Sequence, residues 1–261
     1  MTGLAHRVVL GRMSLLKRVD GTARVFGLGN STKFVRVMTA VGIVATVLIS
    51  ALHCVNAQSA APSWGKVALM GDSNFADIAA QLPNFEKLLS DRLGPSTQVR
   101  LFAQPGATIA LHGDTPYIKT EAAAAAFNFA PDYAVIMLGS NDGKRQNARG
   151  IEELVEGLDR IMERLERANP QVRILLLTPP PAFSNKAGID SNFVGSAVVP
   201  AVFESGYKHG ARLLNVYRLL WNARESFSDG VHLTAEARER LAGWIAGALG
   251  AGEAASSRGR K

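Results

Sequence analysis

A single cysteine, Cys54, occurs among the 261 residues, and it stands close to the N-terminus. Beyond Ala57 the chain has no thiol, so no disulfide framework supports it and no thiolate performs its chemistry. Stability must come from a packed core. An apolar content of 47% is ordinary for a globular protein that has one. The length allows one large domain or two small ones. A sustained excess of one charge is also missing from most of the chain. The formal charge is +7, but residues 1–57 hold seven basic residues (Arg7, Arg12, Lys17, Arg18, Arg24, Lys33 and Arg36) against one acid, Asp20. The remainder carries 22 basic and 21 acidic residues. A nucleic-acid partner wants a basic face on the folded module, and none is indicated. Several motifs are absent: there is no Gly-x-Ser-x-Gly elbow, no P-loop and no dinucleotide fingerprint. Of the histidines, His6, His53, His112 and His209 do not cluster with cysteine or carboxylates, so no metal and no cofactor is expected.

What the first 57 residues do contain has the three parts of a secretory signal. A basic segment reaches Arg36, an uncharged apolar stretch follows from Val37 to Leu52, and Val55-Asn56-Ala57 offers a small-residue cleavage site after Ala57. The basic part is long, and Met13 is an alternative start. An uncleaved membrane anchor is the competing reading, although a stretch of sixteen residues is short for a span of about 20. A lipid-anchored Cys54 is disfavoured by His53, which stands where a small residue is usual. No adjacent Arg pair suggests twin-Arg export. The expected location is therefore secreted or periplasmic, with membrane attachment only through the leader.

After a flexible approach over residues 58–65, short apolar runs alternate with helical patterns. Strands are expected at Val67–Met70, Val99–Ala103, Tyr133–Leu138, Ile174–Leu177 and Arg212–Val216. Helices are expected over Phe75–Leu93, Lys119–Phe127 and Arg149–Ala168, in a stretch ending near Tyr207, and over Thr234–Leu249. Leu154, Leu158, Ile161 and Leu165 give the third of these its apolar stripe. Residues 219–228 read as loop, and residues 250–261 as a disordered tail. No internal repeat is present. Nearly all-apolar strands alternating with helices predict a parallel sheet covered on both faces. Ligands in such sheets bind beyond the carboxyl ends of the strands.

Three conspicuous loops fall there. Gly71-Asp72-Ser73-Asn74 follows the first strand, Gly106 the second, and Gly139-Ser140-Asn141-Asp142 the third. A strand ending in a glycine turn exposes the next side chain and aims backbone N–H groups at a ligand, which suits a nucleophilic hydroxyl and an oxyanion donor. Ser73 would equally serve as a helix cap, Gly106 as a turn glycine and Asn141 as a loop residue bonding its own backbone. Near the C-terminus, Asp229-Gly230-Val231-His232 places a carboxylate three residues before an imidazole. A serine nucleophile needs a base, for which histidine is suited, and the imidazole needs a carboxylate to hold its tautomer. A capped turn without chemistry would use the same residues.

Taken together, Gly71-Asp72-Ser73, Gly106, Gly139-Ser140-Asn141-Asp142 and Asp229-Gly230-Val231-His232 resemble the four ordered blocks of the SGNH (GDSL) hydrolases, over roughly Lys66 to Leu249. The resemblance implies a three-layer α/β/α sandwich, flavodoxin-like, around a five-stranded parallel sheet. It also implies Ser73 as nucleophile, His232 as base and Asp229 as the third triad member. Ser73, Gly106 and Asn141 would form the oxyanion hole. The stretches Gly113–Thr120, Leu138–Asn147 and Thr178–Phe183 are similar to a bacterial branch described as sialate O-acetylesterase-like or carbohydrate acetylesterases. Asn74-Phe75 departs from the aliphatic residue and Thr common after the serine, which would reshape the acyl pocket.

The expected function is hydrolysis of small acyl, above all acetyl, esters on a carbohydrate or small molecule, without a cofactor. A broad lysophospholipase or thioesterase is the runner-up, and no long apolar insertion resembles a lipase lid. An envelope acyltransferase or a binding module on the same fold is the alternative from another class. Lys144, Gln146 and Asn147 are candidates to touch a polar substrate, or form a solvated loop. His112 and Asp114 are candidates for the pocket edge or plain surface residues. Oligomeric state is open.

Overall fold

The structure, a computed structural model, describes residues 64–76, 82–184 and 187–258. The leader with Cys54 and its cleavage position lies outside the described residues, as do residues 58–63, 77–81, 185–186 and 259–261.

Five strands form the sheet: β1 (Lys66–Gly71), β2 (Gln98–Ala103), β3 (Tyr133–Met137), β4 (Arg173–Leu177) and β5 (Arg212–Leu214). Their order is β2-β1-β3-β4-β5, and every pairing is parallel. Leu69 is paired with Leu101 on one side and Val135 on the other, and Met137 with Leu177. Side chains on a strand alternate between faces, and this alternation sorts the core into two halves. On one face Ala68, Met70, Ala134, Ile136 and Leu176 pack against α2 (Glu121–Phe129), α3 (Ile151–Ala168) and α4 (Val199–Lys208). On the other, Val67, Leu69, Val135, Met137 and Leu177 pack against α1 (Phe85–Leu93) and α5 (Ala235–Arg258). Helix, sheet and helix make three layers, so strands covered on both sides are apolar throughout.

Helix α3 buries Leu154, Leu158, Ile161 and Leu165, the stripe read from the sequence. The boundaries move where a cap decides them. Helix α1 starts at Phe85 because the Asn84 side chain accepts the Lys87 N–H at 2.9 Å, so Phe75 and Ala76 belong to the turn after β1. Helix α2 starts at Glu121 because Thr120 caps the Ala123 N–H. Strand β5 stops at Leu214, short of Val216, because the Asn215 side chain accepts the Arg218 N–H and starts a helical turn, Val216–Leu219, between the end expected for the strand and the start expected for the loop. The α4 segment is preceded by a π-helical turn, Val194–Val198. The α5 backbone is helical to Arg258, past the Leu249 boundary. Among the described residues, no helix is long and apolar enough to cross a membrane.

Candidate active site

Strand β1 ends at Gly71, where nothing larger fits: a Cβ there would lie 2.7 Å from the Met137 carbonyl oxygen and 2.7 Å from the Phe75 ring. The chain then turns tightly. The Asp72 carbonyl accepts the N–H of Phe75 and of Ala76, while Asp72 Oδ1 accepts the N–H of Asn74 at 2.9 Å. Ser73 stands at the apex of this turn. Arg238, buried in α5, grips the chain on leaving the turn: its guanidinium donates to the carbonyls of Asn74, Phe75, Ala76 and Pro83 and lies 4.3 Å from the centre of the Phe85 ring. Leu233 N–H donates to Asn74 Oδ1 at 3.3 Å, which links the Ser73 turn to the residue after His232.

The second half of the site is a tight loop closed by a bridge between Phe227 and Leu233. Ser228 N–H donates to the His232 carbonyl, and Phe183 N–H to that of Gly230. Within the loop Asp229 does three things. One carboxylate oxygen accepts the backbone N–H of Val231 at 2.9 Å and of His232 at 2.8 Å, and the other meets His232 Nδ1 at 2.7 Å. Burial works to raise the Asp229 pKa, but these bonds outweigh it and hold the carboxyl down at about 2. On the far side of the ring, His232 Nε2 lies 3.1 Å from Ser73 Oγ. With Nδ1–H donating to Asp229, Nε2 is the acceptor of the Ser73 O–H.

Two further loops face Ser73. Gly106 has φ 81°, in the left-handed region that favours glycine. Among the described residues, no acceptor takes the backbone N–H of Ser73 or of Gly106. Asn141 lies in a short 3-10 turn after β3, buried, with Nδ2 3.1 Å from the Ala107 carbonyl and 3.4 Å from Asp72 Oδ2. Ser73, Gly106, Asn141 and His232 all line one cavity of about 340 Å³, together with Lys144 and Ile189.

Beneath it lie two carboxyls that sequence reasoning did not single out. Asp142, fully buried, accepts the N–H of Ile109 and of Ala110. Burial pushes its pKa up to about 7, and the neighbouring Asp72 adds to the rise. Burial likewise raises Asp72 to about 6, against the pull of Asn74, Ser140, His232 and Lys144. Asn147 is buried too. Its amide donates to the Asn141 carbonyl at 3.0 Å and its oxygen accepts the Asp114 N–H, so it braces the loop and does not line the cavity. Gln146 bonds to Asp114, and the exposed His112 pairs with Glu153; neither lines the cavity. Of these loop candidates, Lys144 alone does. A larger cleft, about 510 Å³, opens at the starts of β3, β4 and β5 beside His209, at the opposite end of the sheet, and shares no residue with this cavity. Among the described residues, no group of His, Cys, Asp and Glu could hold a metal.

Residues 69–240 match the model of the GDSL-like lipase/acylhydrolase family. An acetylxylan esterase from Xylanibacter ruminicola is 27% identical over 175 residues, covering 60% of this chain and 36% of its own length. The chain thus spans little more than a third of that relative. Among solved structures, the lipase/acylhydrolase from Enterococcus faecalis shares the fold with a TM-score of 0.56 and 22% identity, over 70% of this chain and 93% of that one. A carbohydrate acetylesterase from Sinorhizobium meliloti does so with a TM-score of 0.56 and 18% identity, over 72% and 99%.

Proposed function

The chain belongs to the GDSL-like lipase/acylhydrolase family, and from that membership we propose that it is a serine esterase removing small acyl groups, acetyl foremost, from a carbohydrate. The observation that carries this reading is the continuous path from Ser73 Oγ to His232 Nε2 at 3.1 Å and from His232 Nδ1 to Asp229 Oδ2 at 2.7 Å. Ser73 attacks the ester carbonyl and passes its proton to His232. The Asp229 carboxylate holds the ring in the right tautomer and stabilises the imidazolium. The tetrahedral oxyanion is received by the N–H groups of Ser73 and Gly106 and by Asn141 Nδ2. Both amide hydrogens of Asn141 have protein acceptors, at 3.1 and 3.4 Å. The longer bond, to Asp72, is the one exchanged for the oxyanion. His232 then protonates the departing alcohol, and water repeats the cycle on the acyl-enzyme.

The acetyl and carbohydrate parts are supported by the acetylxylan esterase relative and by a cavity of about 340 Å³, modest among ligand sites. The leader supports placement outside the cytoplasm. The test is hydrolysis of p-nitrophenyl acetate and butyrate, and acetate release from acetylated xylan, by the full chain and by Ser73→Ala. Activity that favours acetate and vanishes in the variant upholds the reading. Equal, background rates in both proteins overturn it and favour a transferase awaiting its acceptor or a binding module.

A further inference from the structure

Asn74 stands where the sequence departs from the residue common after the serine, and the structure gives it a place other than the acyl pocket. Its side chain does not line the catalytic cavity. It is buried and reaches the loop of the base, where its Oδ1 accepts the Leu233 N–H at 3.3 Å. Among the described residues, two hydrogen bonds join the turn 71–76 to the loop 227–233. One is the Ser73–His232 contact, which the reaction itself makes and breaks. The other, from Leu233 to Asn74, lies one residue further along each segment. Both of its ends are anchored. The Asn74 N–H donates to Asp72 Oδ1, and the Asn74 carbonyl accepts from Arg238. Leu233 is bridged to Phe227, with the His232 carbonyl accepting the Ser228 N–H and the Thr234 N–H donating to the Ser226 carbonyl on either side.

In one respect the amide destabilises the fold. The Leu233 N–H can bond only to the oxygen of the Asn74 side chain, which fixes the way the amide points. Its Nδ2 is then left buried and, among the described residues, without a hydrogen-bond partner. Such a donor is unfavourable, and a leucine of similar volume would not carry it. An unpaired polar atom in a packed interior calls for a functional explanation, and the oxygen at the other side of the amide supplies one. We infer that Asn74 is a positioning residue: by holding the Leu233 N–H it keeps His232 Nε2 within hydrogen-bond reach of Ser73 Oγ, acting through one peptide unit on either side. The inference rests on the esterase reading above and deepens it.

The test compares the full chain with Asn74→Leu, which removes the acceptor together with the unpaired donor, and with Asn74→Asp, which keeps an oxygen for the Leu233 N–H. The values of kcat and KM for p-nitrophenyl acetate are read on the alkaline plateau of the pH profile, where a charge at position 74 cannot act by titrating His232. In Asn74→Leu, kcat should fall about 10- to 100-fold, the size of a misplacement of up to about 1 Å between reacting groups, while KM stays within about twofold. The urea midpoint should move little, since one orphaned polar group has been exchanged for another. In Asn74→Asp most of kcat should return. Hydrogen exchange reads the link directly: in the unaltered protein the Leu233 amide should exchange as slowly as that of Leu69 in the centre of the sheet. Given a Ser73-dependent reaction in the full chain, three results overturn the inference and leave the esterase reading standing: an unchanged kcat or a loss taken in KM in Asn74→Leu, an Asn74→Asp no faster than Asn74→Leu, or a Leu233 amide that exchanges as fast as an exposed loop amide. Should Asn74→Leu not fold, kcat of Asn74→Asp against the unaltered protein and the exchange of Leu233 decide. Equal rates in the full chain and Ser73→Ala overturn the esterase reading, and this inference with it.

Discussion

The Asp142 carboxylate accepts the backbone N–H of Ala110 at 2.8 Å, across 32 positions of chain. With the matching bond from Ile109, it clamps the loop that carries Gly106 to the turn that carries Asn141. The two loop donors proposed for the oxyanion, on Gly106 and Asn141, are therefore set relative to each other by a side chain that does not itself line the cavity.

Replacing that clamp should cost stability before it costs chemistry. Asp142→Ala leaves two buried N–H groups without acceptors, each worth about 1–3 kcal/mol. A loss of about 2–5 kcal/mol in urea unfolding is expected, with a smaller loss in Asp142→Asn, which retains one acceptor oxygen.

The same burial has a consequence for pH. Asp72 and Asp142 are raised to about 6 and about 7, so between pH 4 and 7 the folded state binds more protons at these positions than the unfolded state does. Stability from this source is fullest near pH 4 and is lost as pH rises through those values, at most on the order of 1.4 kcal/mol per pH unit for each group. The urea midpoint should therefore fall less steeply from pH 5 to 7.5 in Asp142→Asn than in the unaltered protein. Equal slopes would show that the pair does not titrate in that range.

Activity should depend on pH through His232. Protonation of the ring removes the acceptor of the Ser73 proton, so kcat/KM should fall on the acid side within the pH 5–8 region where imidazoles titrate. Asp229, held near 2, stays ionised and adds no limb there. A profile flat from pH 5 to 8 would set His232 aside as the base.

Substitutions at the site should separate roles by magnitude. Asn141→Ala removes one proposed oxyanion donor and should lower kcat by about 10²- to 10³-fold. Ser73→Ala should fall to background. Asp229→Asn should approach the serine variant more closely than Asn141→Ala does, because it forfeits the tautomer of His232.

Arg238 gives the sharpest stability test. Its four carbonyl acceptors span the Ser73 turn and the entry to α1. Arg238→Leu strands these carbonyls and should lower stability by about 3–5 kcal/mol. Arg238→Lys should recover only part, since a point ammonium cannot reproduce a planar fork.

Legibility followed the range of the interaction. Sheet, layers and the five strands could be read because apolar runs and helical stripes are local signals, and they decide which face is buried. The contact between Asp229 and His232 could be read because they share one turn with Gly230. Where strands and helices end was less legible: Asn84, Thr120 and Asn215 each decide a boundary through a single side-chain bond. Asp142 and Arg238 escaped because their partners come from loops far away in the chain. Arg238 had left a trace, since it occupies the same stripe of α5 as Leu241, Ala242, Ile245 and Leu249, where an apolar residue would be expected.

Ser73 and His232 face each other across 159 positions of chain. During synthesis the hydroxyl leaves the ribosome long before the imidazole proposed to activate it. On the proposed mechanism every intermediate length of the nascent polypeptide lacks its base, however well its first strands have paired. Reactivity switches on only when the last turn docks beside the first, so the onset of ester cleavage would time the completion of folding.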